Sequence, residues 1–222
     1  MYVKTQAIVL QALKHQDSSL VLKLFSNQKG LITSYLKNDR AKKKRTVKWQ
    51  LLDVVNLDLV HSNKNDFYGI REASYALNHI KRYQDPYKLS MSYFVAEILL
   101  KAISEKNMAY SELYEFALIS LNHLDETKNI SLYPIDFLLK LSDVLGIKPK
   151  VVDGADIFNL TEGTIDTAPV GLQSISTIEV KLLADFIQKG VFSTQPSKDQ
   201  RTKQKTLVNT FFACEKMPRI PR

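Results

Sequence analysis

The residues in this sequence that could do chemistry form a run of cations rather than a catalytic set. Between Lys37 and Trp49, seven lysines and arginines stand against one acidic residue, Asp39, which gives the segment a net charge of +6. Its cations are Lys37, Arg40, Lys42, Lys43, Lys44, Arg45 and Lys48. Phosphate groups would neutralise these charges, and the release of condensed counterions would drive the association. We therefore expect residues 37–49, the basic loop, to bind nucleic acid; a solvated loop is the alternative.

A second basic segment lies near the C-terminal end of the sequence. Residues 198–222 carry a net charge of +5 in a chain whose total is only +8, so the remaining residues are slightly acidic. Its candidate contacts are Lys198, Arg201, Lys203 and Lys205. Two basic segments on a nearly neutral body indicate a polyanionic partner. For the second segment, a longer nucleic-acid path and a solvated helix face are equally good interpretations.

Two aromatic residues lie close to the basic loop. Trp49, the only tryptophan, ends it, and Tyr35 precedes it. Either ring could stack on a nucleic-acid base. For Trp49 we favour a place in the hydrophobic core, since it stands where the loop returns to regular structure.

No catalytic or metal-binding set is recognisable. The chain has seven glycines and no phosphate-binding glycine loop, and its four histidines lack ligand spacing. Cys214 is the only cysteine, which excludes an intramolecular disulfide and a multi-cysteine metal site. We therefore predict a protein that is not an enzyme and needs no metal or cofactor. The absence of a long apolar run predicts a cytoplasmic protein without a membrane span.

The elements that must position the basic loop are short strands. Alternating apolar residues and turn signals predict five of them before residue 75, with the basic loop between the third and fourth. Their expected bounds are Thr5–Leu13, Leu20–Ser26, Leu31–Lys37, Gln50–His61 and Phe67–Glu72. Five short antiparallel strands favour a small closed barrel over a sandwich.

Beyond residue 75 the apolar period becomes helical. The expected helices are Pro86–Glu105, Tyr110–Leu124, Pro134–Leu145, Ser174–Gln188 and Lys198–Cys214. Residues 150–172 are polar and rich in turn signals. We expect the first helix to be central and buried because it is apolar nearly all round. Its packing stripe is expected to contain Leu89, Tyr93, Ala96, Leu100 and Ile103. The fold class is thus α+β, a barrel domain at 1–76 followed by an all-α helical domain at 77–222.

The succession of these segments resembles the RecO family of bacterial recombination mediators. Residues 4–10, KTQAIVL, are similar to that family's first strand, and residues 24–26, LFS, with Lys29-Gly30 resemble its approach to the third strand. Residues 137–141, FLLKL, and 145–149, LGIKP, are similar to a family helix that ends in a glycine and a proline. Many members continue with four zinc-binding cysteines, whereas residues 150–172 contain none, which implies a zinc-free remnant of that finger.

The resemblance implies an OB-fold barrel that binds single- and double-stranded DNA and anneals complementary strands. It also implies cooperation with RecR and with single-stranded DNA-binding protein (SSB) in loading RecA. The SSB tail is acidic and ends in an apolar residue, which makes Lys140 and Lys148 candidate contacts, although ordinary surface lysines are the favoured alternative. Charge and fold class leave two other functions open: an OB-fold RNA-binding factor, and a protein-interaction adaptor with no direct DNA role.

Overall fold

The computed structural model describes most of the chain outside the basic loop and the C-terminal segment. It describes residues 2–15, 19–37, 47–61, 67–77, 80–103, 110–159, 162–167, 174–176 and 178–190. Most of the basic loop (38–46) and the predicted helix at 198–214 lie outside these residues. The chain divides into two compact units, Met1–Glu126 and Thr127–Arg222. The boundary predicted between residues 76 and 77 stays a proposal.

Five strands of the first unit form a closed barrel. They are β1 (Tyr2–His15), β2 (Ser19–Ser26), β3 (Gly30–Lys37), β4 (Val54–His61) and β5 (Tyr68–Leu77). Their order is β1-β2-β3-β5-β4, and β1 also pairs with β4 to close the barrel. All pairs are antiparallel except β3 with β5. The predicted fold class, an OB-like barrel followed by a helical region, is confirmed.

The barrel strands form because their apolar residues alternate. Leu22 and Leu24 on β2 and Leu57 and Leu59 on β4 belong to one buried cluster, while Lys23 and Asp58 between them are partly exposed. The prediction that β4 begins at Gln50 was wrong. Residues 50–53 form a turn instead, closed by the Asp53 N–H donating to the Gln50 carbonyl at 3.1 Å.

The described residues of the first unit also form the helices α1 (Ile80–Gln84), α2 (Pro86–Ala102) and α3 (Tyr110–Glu126). Asp85 caps α2 by accepting hydrogen bonds from the N–H groups of Tyr87 and Lys88. The predicted packing stripe is right at Ala96 and Ile103, which are buried, and wrong at Tyr93, whose side chain is 63% exposed. The buried residues of α2 itself are Ser92, Val95, Ala96, Leu99 and Ala102. The sequence did not predict α1.

The second unit is helical with a small sheet. A 3-10 turn (Ile130–Leu132) leads into α4 (Tyr133–Val144), and α5 (Ile178–Lys189) follows the sheet. The sheet has the order β6-β8-β7-β9, with strands Lys150–Val151 (β6), Ile157–Asn159 (β7), Thr164–Asp166 (β8) and Ser174–Ser176 (β9). The predicted helix 174–188 therefore starts too early, because residues 174–176 pair with β7. Among the described residues, no helix has the length and apolar character needed to cross a membrane.

Candidate nucleic-acid interface

The described residues show where the basic loop leaves the barrel and where it returns. It leaves at the end of β3, where Lys37 pairs with Ser19 of β2. It returns at Lys48, whose backbone N–H donates to the Tyr75 hydroxyl of β5 at 2.8 Å. The Lys48 side chain is exposed. The other predicted contacts (Arg40, Lys42, Lys43, Lys44 and Arg45) lie outside the described residues, as does the Lys37 side chain.

Trp49 belongs to the barrel core, as the sequence favoured. Its side chain is only 7% exposed and packs with the apolar residues that fill the barrel. Its backbone has φ 56, and Leu52, which is completely buried, has φ 61. Residues other than glycine seldom adopt this left-handed backbone conformation, so the backbone is strained where the chain enters β4.

A buried carboxylate holds this strained turn. Asp53 is 1% exposed, and its two oxygens accept hydrogen bonds from the Gln50 N–H at 3.0 Å and the Tyr83 hydroxyl at 2.8 Å. The Tyr83 hydroxyl also lies 2.8 Å from the Leu51 carbonyl oxygen. Burial, and then the hydrogen bond to Asp53, raises the pKa of Tyr83 above its ordinary value. Tyr83 therefore remains a hydrogen-bond donor at neutral pH.

The outer face of the barrel beside the start of the basic loop carries polar and aromatic groups. The Tyr35 hydroxyl donates to Ser19 Oγ at 2.9 Å, and the Tyr35 ring lies edge-on to the His15 ring with 5.9 Å between centroids. Ser19 Oγ in turn donates to the His15 carbonyl. Tyr35 remains half-buried, and His15 is exposed. His15 could not be grouped with the basic loop from the sequence, because only the strand register, His15 with Ser19 and Ser19 with Lys37, brings them together.

The secondary candidates are only partly described. Lys140 Nζ lies 2.8 Å from Asp136 Oδ2 within α4, and Lys148 Nζ lies 3.5 Å from Asp143 Oδ2. Each lysine thus has an acidic neighbour and is at least partly exposed. The four cations at 198–205 lie outside the described residues.

Residues 150–172 are the segment predicted to be a zinc-free remnant of a finger. Residues 150–172 contain no cysteine. The part of the chain that the structure describes holds no group of three or more histidine, cysteine, aspartate or glutamate residues that could bind an ion. Packing and hydrogen bonds stabilise the described part of this segment: Ile165 is completely buried, and Asn159 Oδ1 accepts a hydrogen bond from the Glu162 N–H at 3.2 Å.

Comparison with known proteins identifies the family. Residues 1–77 match the family model "Recombination protein O N terminal", and residues 83–186 match "Recombination protein O C terminal". This chain belongs to the RecO family. A protein of Flavobacterium psychrophilum named DNA repair protein RecO is 31% identical over 221 residues, which cover 95% of this chain and 91% of the relative. The proteins of that name in Flavobacterium johnsoniae and Christiangramia forsetii are 30% and 27% identical, covering 84% and 94% of this chain and 81% and 89% of their own lengths.

Proposed function

We propose that this RecO family protein is a DNA repair and recombination mediator without catalytic activity of its own. It binds single- and double-stranded DNA, anneals complementary strands, and helps RecR load RecA onto DNA covered by SSB. The observation that carries the proposal is the +6 segment between the third and fourth strands of a closed barrel, in a chain that matches both RecO family models.

Annealing by such a surface needs neither a nucleotide nor a metal. Two DNA strands repel each other through their phosphates, and a cationic surface that contacts both lowers that repulsion. Base pairing then supplies the free energy of the reaction. Affinity should fall steeply with salt, because each phosphate contact releases counterions.

The experiment reverses four charges in the basic loop: Lys42→Glu, Lys43→Glu, Lys44→Glu and Arg45→Glu. We expect DNA affinity and strand annealing to collapse and the salt slope, log K against log salt, to become less steep by roughly 0.7–0.9 for each lost phosphate contact. The matched control reverses four lysines that are exposed elsewhere: Lys101, Lys128, Lys181 and Lys189. It makes the same change in net charge. Equal losses in both variants would reduce the effect to general electrostatics, and unchanged DNA binding by the loop variant would refute the proposal.

The same titrations separate the competing functions. Preference for structured RNA over DNA of equal length would favour an RNA-binding factor. If the protein is an adaptor without a direct DNA role, the wild type should bind DNA no better than the loop variant, while both still bind RecR or SSB.

For the SSB tail we propose a site that includes Lys140 and Lys148. The acidic neighbours of both lysines would be exchanged for carboxylates of the tail. Fluorescence anisotropy of a labelled tail peptide should lose affinity in Lys140→Glu and Lys148→Glu but not in the control Lys181→Glu, which lies on α5. Equal affinities in all three variants would place the tail elsewhere.

A further inference from the structure

We propose that Tyr83 and Asp53 are positioning residues for a phosphate contact made by Lys48. This inference rests on the proposed function, since it concerns DNA bound beside the barrel. Lys48 is the one predicted DNA contact of the basic loop whose side chain the structure describes, and it is exposed. Whether the Lys48 side chain can reach a phosphate depends on the conformation of the backbone at residues 47–53.

That backbone is held in a conformation it would not keep by itself. Trp49, directly after Lys48, has φ 56, and Leu52 has φ 61. Such strain persists only where surrounding contacts over-determine the conformation, and it concentrates at functional sites. Neither position has the glycine that an unconstrained turn would prefer. The contacts that hold residues 47–53 are therefore the ones that fix Lys48.

These contacts come from three directions. From β5, the Tyr75 hydroxyl accepts the Lys48 N–H at 2.8 Å. From β1, the Val9 carbonyl accepts the Leu52 N–H at 2.6 Å, and the Asp53 carbonyl accepts the Val9 N–H at 2.9 Å. The two bonds with Val9 join the turn to β1. The Leu51 carbonyl and the Asp53 carboxylate accept hydrogen bonds from a third element.

The third partner is Tyr83 of α1. Its hydroxyl lies 2.8 Å from both the Leu51 carbonyl oxygen and Asp53 Oδ1, so one hydroxyl hydrogen serves two acceptors. The other carboxylate oxygen of Asp53, Oδ2, accepts a hydrogen bond from the Gln50 N–H, so Asp53 connects Tyr83 to the start of the turn. Without the hydroxyl, the Leu51 carbonyl and Asp53 Oδ1 each lose this donor.

The residue next to Tyr83 fixes the short helix α1. Arg82 is completely buried and forms two hydrogen bonds of 2.8 Å with the Asp125 carboxylate of α3. A helix of five residues has little stability of its own. The ion pair therefore sets the position from which Tyr83 reaches the turn, and α3 is linked through α1 to Lys48.

The test is a double-mutant cycle between Tyr83→Phe and Lys48→Ala, read out as DNA affinity across a salt titration. Lys48→Ala should reduce the salt slope by about 0.9 on duplex DNA, the value expected for one phosphate contact. Tyr83→Phe should reduce the slope by part of that amount and weaken binding. In the Lys48→Ala background, Tyr83→Phe should have no further effect, because its only route to DNA has been removed.

Tyr114→Phe is the matched control. The Tyr114 hydroxyl also joins a helix to the barrel, through Gln6 Oε1 at 3.2 Å, but on β1 away from the turn. This variant should leave DNA affinity and salt slope unchanged. Tyr75→Phe, which removes the acceptor of the Lys48 N–H, is the second variant and should behave like Tyr83→Phe. It keeps the test open if the loss of the Tyr83 hydroxyl prevents folding.

Each result decides a different point. If Tyr83→Phe matches Tyr114→Phe, or weakens binding equally with and without Lys48, the hydroxyl has a merely structural role and the inference is wrong. If Lys48→Ala binds like the wild type while the four-charge loop variant does not, this inference fails and the proposed function stands. Unchanged binding by the loop variant overturns both.

Discussion

The buried ion pair between Arg82 and Asp125 allows a stability prediction with an unusual asymmetry. The Arg82 side chain is 0% exposed, and Asp125 is 19% exposed. The guanidinium uses Nε and Nη2 on the carboxylate, and Nη2 also donates to the Leu121 carbonyl at 3.3 Å. Its third nitrogen, Nη1, is buried, and among the residues that the structure describes none accepts a hydrogen bond from it.

The two partners should therefore differ in the cost of their removal. Asp125→Ala leaves a fully buried guanidinium without its counter-charge, which should reduce the free energy of unfolding by about 3–5 kcal/mol. Arg82→Met removes the buried charge and fills much of its volume, and the remaining carboxylate can reach water. Because Nη1 is already unsatisfied, we expect this variant to lose only about 0–2 kcal/mol. The double variant should lie close to Arg82→Met alone.

Urea unfolding followed by the fluorescence of Trp49 measures this difference. Trp49 is the only tryptophan and is buried in the barrel of the same unit, so its emission reports on that unit. The variants should change the midpoint and leave the slope with urea unchanged. A loss in Arg82→Met that equals or exceeds the loss in Asp125→Ala would refute the argument that the stranded guanidinium dominates.

Three further predictions concern the turn before β3, the buried tyrosines and residues 150–172. Gly30 has φ 65, and an added Cβ would lie 2.6 Å from the Tyr110 ring, so Gly30→Ala should cost about 1–2 kcal/mol for its backbone and more for the clash, measured by thermal melting. Burial raises the pKa of Tyr83 and Tyr114 above 10.0, so the folded state keeps protons that the unfolded state loses. The contribution of each tyrosine to the free energy of unfolding should be fully present below pH 10 and decrease above it by about 1.4 kcal/mol per pH unit. Tyr83→Phe or Tyr114→Phe should each remove one such decrease from the pH profile. A strong zinc chelator should leave the melting temperature unchanged if residues 150–172 bind no metal, and a fall would contradict that reasoning.

The barrel was predictable from sequence because its signals are local. Alternation of apolar residues located all five strands, and Gly30 adopts the positive φ expected of the turn before β3. The ends of β1 and β5 were underestimated: residues 2–4 and 14–15 continue β1, and residues 73–77 continue β5, because neighbouring strands pair with them there. The small sheet of the second unit was not predicted because strands of two or three residues are too short for periodicity to register.

The hydrogen bonds that hold Lys48 in place could not be predicted, and the reason is physical. Asp53 and Tyr83 are thirty residues apart, in a turn and in a helix too short to show a period. In the sequence, Trp49 and Leu52 look like ordinary apolar residues of a strand, and only the folded chain shows them at positive φ. Most residues of a natural protein adopt the backbone conformation that their type prefers, and the exceptions occur where function requires them or where other contacts compensate. If Lys48 contacts DNA as we propose, both conditions meet here, because Trp49, at positive φ, directly follows the last cation of the basic loop and a buried carboxylate holds the turn. The proposal therefore predicts that changes to Tyr83 or Asp53, which hold this turn, alter DNA affinity through Lys48.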